Sequence, residues 1–162
     1  ESNADLFISI HVNSISNSPN TRGFETYLLR VGKTEEAIKE VEKRENSVIT
    51  EYEDEGSYSK LSKINAIIIQ DANIKQSGDF ANLVQKELSS SINSKYNRGV
   101  KQAGFQVLWG VTVPNVLIEV GFITNSEERK NLTSDKYQNK VASGIVNAVI
   151  SYKDKYEKRI IE

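Results

Sequence analysis

Pro114-Asn115-Val116-Leu117-Ile118-Glu119-Val120 is an apolar run interrupted once, by an acid. Branched and large apolar residues packed this densely behind a proline read as a strand buried on both sides, the kind found in α/β sheets covered by helices. Glu119 then lies near the end of that strand, where a charged side chain faces desolvation unless it is paired or functional.

Working outward from this strand, the pattern alternates. Downstream, Asn125 or Ser126 can cap a short helix opening with Glu127 and Glu128, whose charges suit the positive end of the helix dipole. Tyr137, Val141, Ile145, Val149 and Tyr152 then mark a final amphipathic helix, capped by Ser134 or Asp135. Upstream, Gly99-Val100-Lys101 and Phe105-Gln106-Val107-Leu108 are short strand-like pieces. From about Ser62, the residues Ile64, Ile67, Ile68, Ala72, Phe80, Ala81, Val84 and Leu88 recur at helical spacing, which predicts one long helix with a break near Gly78.

Near the N-terminus, Gly23 through Leu29 reads as a strand, and Ala4 through Ile10 as a buried strand followed by a Ser, Asn and Pro loop. Strand alternation puts Leu6, Ile8 and Ile10 on one face and Phe7, Ser9 and His11 on the other, so His11 emerges at the strand's C-terminal end. Strands alternating with helices imply an α/β fold: a mixed, mostly parallel sheet flanked by helices on both faces. One domain is expected over residues 1–162, with an insertion-like segment at about 31–71 where Glu, Lys, Ser and Tyr dominate. Within it, Thr34 through Arg44 predicts an exposed helix with a small core contribution, and Glu51, Glu53, Asp54 and Glu55 form an acidic knot.

The formal charge of -1, from 21 basic and 22 acidic residues, offers no reason to expect nucleic acid or an anionic membrane as partner. No apolar run approaches the ~20 residues of a membrane span. Without cysteine there is no disulfide, thiolate nucleophile or Cys-based zinc site, so any metal must be held by His and carboxylates. The sequence has a single histidine, His11, and no methionine, which leads to the expectation of an N-terminally truncated chain.

Each candidate has a plain reading beside the functional one. A lone histidine at a strand end is commonly a surface or hydrogen-bonded residue, but the carboxyl ends of strands are also where open α/β sheets collect ligand groups. For Glu119 the plain reading is a structural salt bridge; the functional one is a carboxyl whose pKa burial raises toward the range useful for proton transfer.

The blocks themselves are familiar. Ala4-Asp5-Leu6-Phe7-Ile8-Ser9-Ile10-His11-Val12-Asn13-Ser14 with Gly23-Phe24-Glu25-Thr26-Tyr27 resembles the central signature of the amidase-3 family of N-acetylmuramoyl-L-alanine amidases. Arg98-Gly99-Val100-Lys101 with Phe105 and Val107-Leu108, and Pro114-Asn115-Val116-Leu117-Ile118-Glu119-Val120-Gly121-Phe122-Ile123-Thr124-Asn125, are similar to two further family segments in the same order. The resemblance implies a phosphorylase/hydrolase-like fold, Zn2+ as cofactor, His11 as a zinc ligand and Glu119 as the catalytic carboxylate acting on water. It implies peptidoglycan as substrate, the bacterial cell envelope (periplasmic or secreted) as location, and a regulatory activator protein as a possible partner.

The same resemblance implies that the family's other zinc histidine and its glutamate ligand precede residue 1. The expectation is that these 162 residues alone neither bind zinc tightly nor cleave peptidoglycan. In regulated members an inserted helical segment covers the zinc and places a glutamate on it, and Glu45, Glu51, Glu53 and Glu55 are the candidates here. Two alternatives stand beside the amidase: a metal-free module that binds peptidoglycan or a partner, and a zinc carboxypeptidase, against which the Glu119-Val120-Gly121-Phe122 block argues.

Overall fold

In a computed structural model the described residues are 3–30, 36–50 and 60–161. Four strands, β1 (Phe7–Asn13), β2 (Phe24–Leu29), β3 (Asn97–Ala103) and β4 (Asn115–Phe122), form one sheet in the order β1-β4-β2-β3. β1 runs parallel to β4, β2 parallel to β3, and β2 antiparallel to β4. The sheet is therefore mixed and mostly parallel, as the sequence implies. All eight residues of β4 are buried, which is why its sequence is apolar on both faces.

Helices cover both faces. On one side α2 (Lys60–Leu88) and α4 (Asp135–Ile161) pack Phe80, Val84, Leu88, Val141, Ile145 and Tyr152 against Phe24, Leu28, Val116, Ile118 and Val120. Polar ties fix this layer: Gln85 donates to the Thr26 hydroxyl at 2.7 Å, and the Asn115 amide donates to the Ser77 hydroxyl at 2.9 Å. On the other side, α1 (Glu36–Thr50) lies over Tyr27, Leu29, Leu117, Phe105 and Leu108. α3 (Ser126–Leu132) is the short helix after β4, capped as expected by Asn125, whose side chain accepts from the amides of Glu127 and Glu128.

Four expectations change. The α2 helix runs through Gly78 without a break, because its carbonyl stays engaged, accepting from Asn82 Nδ2 at 2.9 Å, and the helix ends instead in a π-helical turn over Ser89–Asn93. α1 is not an exposed helix with little core: Ile38 and Val41 are 5% and 2% exposed. Residues 106–108 form a 3-10 turn rather than a strand, held from α1 by Asn46, which accepts from the Gln106 amide and donates to the Gly104 carbonyl. β1 is a sheet edge rather than a buried strand, leaving Ile10 and Val12 56% and 40% exposed.

One carboxylate ties the site-bearing strands together. Glu128, buried on α3, accepts from the amides of Gly23 and Phe122, each at 2.7 Å, and so clamps the start of β2 to the end of β4. Gly23 is required at this junction, since its φ is 114° and a Cβ there would stand 2.3 Å from the Tyr96 carbonyl oxygen. Gly23→Ala is expected to destabilise the chain by at least about 2 kcal/mol, from backbone strain plus displacement of the Tyr96 carbonyl, measured by urea unfolding. An unfolding midpoint within error of the parent would show that this junction bears no strain.

Candidate metal centre

Sheet register brings the sequence candidates together. His11 pairs with Glu119 across the parallel β1–β4 ladder, and Glu25 pairs with Glu119 across the antiparallel β4–β2 ladder. Directly paired residues project to the same face, so His11, Glu119 and Glu25 form a row across three strands. That face is the one α1 covers, and α1 lowers Glu45 onto the row. Glu45 Oε2 lies 2.6 Å from His11 Nδ1, while His11 Nε2 is 2.9 Å from the Ser9 hydroxyl. Of the four predicted glutamates on the inserted segment, Glu45 reaches the site; Glu51, Glu53 and Glu55 lie outside the described residues.

Arg44, beside Glu45, secures the helix. Its guanidinium bonds the Glu45 carboxylate and the Ser14 carbonyl, and it comes within 3.4 Å of Asn13 Oδ1. It approaches Glu119 less closely, at 3.9 Å. The Glu119 carboxylate is fully buried, and neither oxygen has a hydrogen-bond partner among the described residues. A buried polar group is ordinarily satisfied, so an orphaned carboxylate marks a place prepared for something else. Burial first, and the Glu45 charge second, push its pKa from 4.5 up to about 8, with Arg44 opposing and Glu25 adding to the rise. Glu45 goes the other way: burial resists ionisation, but the hydrogen bonds from His11 and Arg44 hold it below the usual carboxylate range.

His11, Glu45 and Glu119 each offer a ligand atom, all within 4.8 Å of one another. One imidazole nitrogen with two carboxylate oxygens suits a divalent cation that accepts both donor types, and the two unpartnered oxygens of Glu119 fit such an occupant. All three are candidates in the sequence, His11 as a metal ligand, Glu119 as the catalytic carboxylate and Glu45 as one of four glutamates that could be placed on the metal; the fold brings these three together.

Over residues 1–151 the chain matches the family model described as N-acetylmuramoyl-L-alanine amidase. The chain belongs to the amidase-3 family. Among these amidases and their relatives, YqiI of Bacillus subtilis is 34% identical over 93% of this chain and 52% of its own length. The N-acetylmuramoyl-L-alanine amidase AmiA of Salmonella typhimurium is 32% identical over 92% of this chain and 52% of its own length. Among solved structures, the CwlD amidase of Clostridioides difficile, in complex with the GerS lipoprotein, superposes with a TM-score of 0.63 at 25% identity over 94% of this chain and 56% of that one. This amidase-family chain thus spans about half the length of the curated relatives it matches.

Sequence reasoning passed over several residues that shape the site. Glu25 is an acid inside an apolar strand, the same signal that singles out Glu119. Asn13 looks like a turn former but is fully buried, donating to Glu25 at 3.0 Å. Nothing in the sequence marks Arg44, whose contacts beyond its neighbour Glu45, with Ser14, Asn13 and Glu119, come from the fold.

The raised pKa of Glu119 has a definite sign in stability. Below pH 4.5 the folded and unfolded metal-free chains both hold this proton; between 4.5 and about 8 only the folded chain keeps it. Stability of the metal-free protein should therefore fall across that window, at up to about 1.4 kcal/mol per pH unit, and Glu119→Gln should flatten the fall. Urea unfolding in chelator at several pH values reads this out; parallel profiles for parent and variant would contradict the shift.

Proposed function

We propose that this chain is the part of a zinc-dependent N-acetylmuramoyl-L-alanine amidase that carries its catalytic carboxylate. The reaction is hydrolysis of the amide joining the lactyl group of N-acetylmuramic acid to the L-alanine that begins the peptidoglycan stem peptide. The observation that carries the reading is Glu119: buried, without a hydrogen-bond partner among the described residues, and paired in register with His11. His11 is a zinc ligand. When bound, zinc supplies a Lewis acid that polarises the scissile carbonyl and acidifies water.

Glu119 takes a proton from the attacking water and returns it to the leaving amine of L-alanine. For the first step the carboxyl must be ionised, and its surroundings control that. A nearby divalent cation favours the ionised form, whereas Glu45 disfavours it by like charge. In this reading residues 1–162 are one catalytic domain whose segment 31–71 is regulatory, and α1 is a cover: Glu45 occupies His11 while its charge keeps Glu119 protonated. An activator protein that draws α1 away would free both residues at once. The work would be done at the bacterial cell envelope, periplasmic or secreted, a location that the likeness to cell-wall amidases supports. Among the described residues no helix is long and apolar enough to cross a membrane.

The test uses the full-length protein with purified peptidoglycan, scoring free L-alanine amino termini. Zinc-loaded protein should cleave, chelator should abolish cleavage, and Glu119→Gln should lower kcat by about 10²–10⁴-fold while leaving zinc content unchanged. Binding of peptidoglycan without cleavage at any zinc level would favour the metal-free binding module instead.

The cover is tested separately. Glu45→Gln, or removal of residues 35–60, should raise the basal rate of the full-length protein several-fold, on the order of the coupling between two contacting charged groups. An unchanged or lower rate with folding intact would remove the regulatory role of α1.

A further inference from the structure

Beside the metal centre, two cations converge on one carboxylate. Glu25 is 1% exposed, and its oxygens are fully committed. Oε1 accepts from Asn13 Nδ2 at 3.0 Å and from the Tyr27 hydroxyl at 2.5 Å; Oε2 accepts from Arg98 Nε at 2.8 Å and from Lys101 Nζ. Burial pushes the Glu25 carboxyl up, but the bonds from Lys101, Tyr27 and Arg98 outweigh it, so the group ionises below the usual range.

One cation would neutralise one buried carboxylate. The second has no hydrogen-bonded carboxylate of its own among the described residues, only the electrostatic influence of Glu128 on Arg98, and holding two like charges on a single oxygen is unfavourable unless something anionic shares them. Counted as Glu25, Arg98 and Lys101 alone, the cluster is cationic. Its cations are neither buried nor free: the Arg98 and Lys101 side chains are 34% and 25% exposed.

Arg98 is also oriented as a receptor would be. Only its Nε is used; among the described residues Nη1 and Nη2 make no hydrogen bond or ion pair. The Phe122 ring lies 5.1 Å from its Cζ, fixing the guanidinium plane. A guanidinium held by Nε and by its face presents two parallel N–H groups, the fork that matches a carboxylate.

Position points the same way. Glu25 stands directly across from Glu119, on the same face. β3, which carries Arg98 and Lys101, lies two strands from β4, about 10 Å, and both side chains close part of that gap by reaching back to Glu25. A peptide leaving the reaction centre in extended form covers about 7 Å in two residues. In a stem peptide that continues from L-alanine through γ-linked D-glutamate, the free α-carboxylate of that second residue falls at this distance from the scissile carbonyl.

We propose that Arg98 and Lys101, held in place by Glu25, form the subsite for the free α-carboxylate of the second stem-peptide residue. The inference rests on the amidase reading and deepens it. Arg98 and Lys101 are binding residues, and Glu25 is a positioning residue. Discrimination follows from charge: an amidated second residue keeps one acceptor oxygen but loses its charge and sets N–H donors where the guanidinium fork needs its second acceptor, so the same position then binds less well.

The experiment compares initial rates of the full-length zinc enzyme on two peptidoglycans, at loads below saturation, differing only in whether the α-carboxyl of D-glutamate is free or amidated. The parent should prefer the free acid by about tenfold, the size of one charge-assisted hydrogen-bonded contact. In Arg98→Gln the ratio of the two rates should fall toward one, Lys101→Met should lower it in the same direction, and Arg98→Lys should keep part of it. Thermal melting identifies any variant that does not fold; the preference of the parent then decides by itself. A parent with no preference, or a folded Arg98→Gln with the preference intact, overturns the subsite. An enzyme that digests neither peptidoglycan with zinc present removes the amidase reading, and the subsite with it.

Discussion

A fully buried carboxylate with no hydrogen bond among the described residues, and Arg44 no nearer than 3.9 Å, is an uncomfortable group, and the rest of the site is arranged about it. Glu119 sits on an interior strand between two neighbours that each place a polar residue opposite it: His11 on β1 and Glu25 on β2. Removing a charge from water is costly unless partners replace the water, and here the partners stop short of the carboxylate itself. The strand tolerates the cost because it is clamped at its end by Glu128 and packed on its other face by Ile118 and Val120. Local strain at such a point is stable only where the surrounding structure over-determines it.

The two acids flanking Glu119 are treated differently. Glu25 has four donors and stays ionised; Glu45 has His11 and Arg44 and stays ionised too. Each therefore acts on Glu119 as a fixed negative charge, and the one carboxyl without donors is the one left to hold a proton. Three carboxyls on one face thereby come to have separate roles through environment alone, the pattern that separates acids from bases in hydrolytic sites.

Their mountings differ as well. Glu25 is part of the sheet and cannot leave it without unfolding β2. Glu45 is borne by a helix that covers one face, anchored among the described residues by Ile38 and Val41, the Arg44 contacts and the Asn46 bonds to residues 104 and 106. A surface layer of that size can detach while the sheet and its opposite helices persist, since local opening costs less than global unfolding. Under the proposed cover role, the permanent charge and the removable one would differ in how much packing each carries with it.

Much of this was legible in the chain. The apolar run around Glu119, a strand that carries His11, the cap at Asn125 and the final amphipathic helix all follow from short-range rules: side-chain alternation, helical spacing and capping chemistry. The same rules do not extend that strand to Val12 and Asn13, the last two residues of β1. The family signature adds the expected roles of His11 and Glu119. What short-range rules misjudged was burial. Ile38 and Val41 look like one side of an exposed helix, and Ile10 like a core residue, because burial depends on which element lies across from them. The same limit hid Arg44, Asn13 and the Glu25 cluster, each of which is tied to partners distant in sequence: Arg44 to the Ser14 carbonyl, Asn13 to Glu25, and Glu25 to Arg98 and Lys101. Sequence by itself determined most of the elements, the likeness to the amidases and the two residues, His11 and Glu119, that lie toward the C-terminal ends of β1 and β4. Only the tertiary structure decided that Glu45 closes over them and that Arg98 and Lys101 meet on Glu25, because strand register and helix packing are contacts between segments that no local pattern encodes.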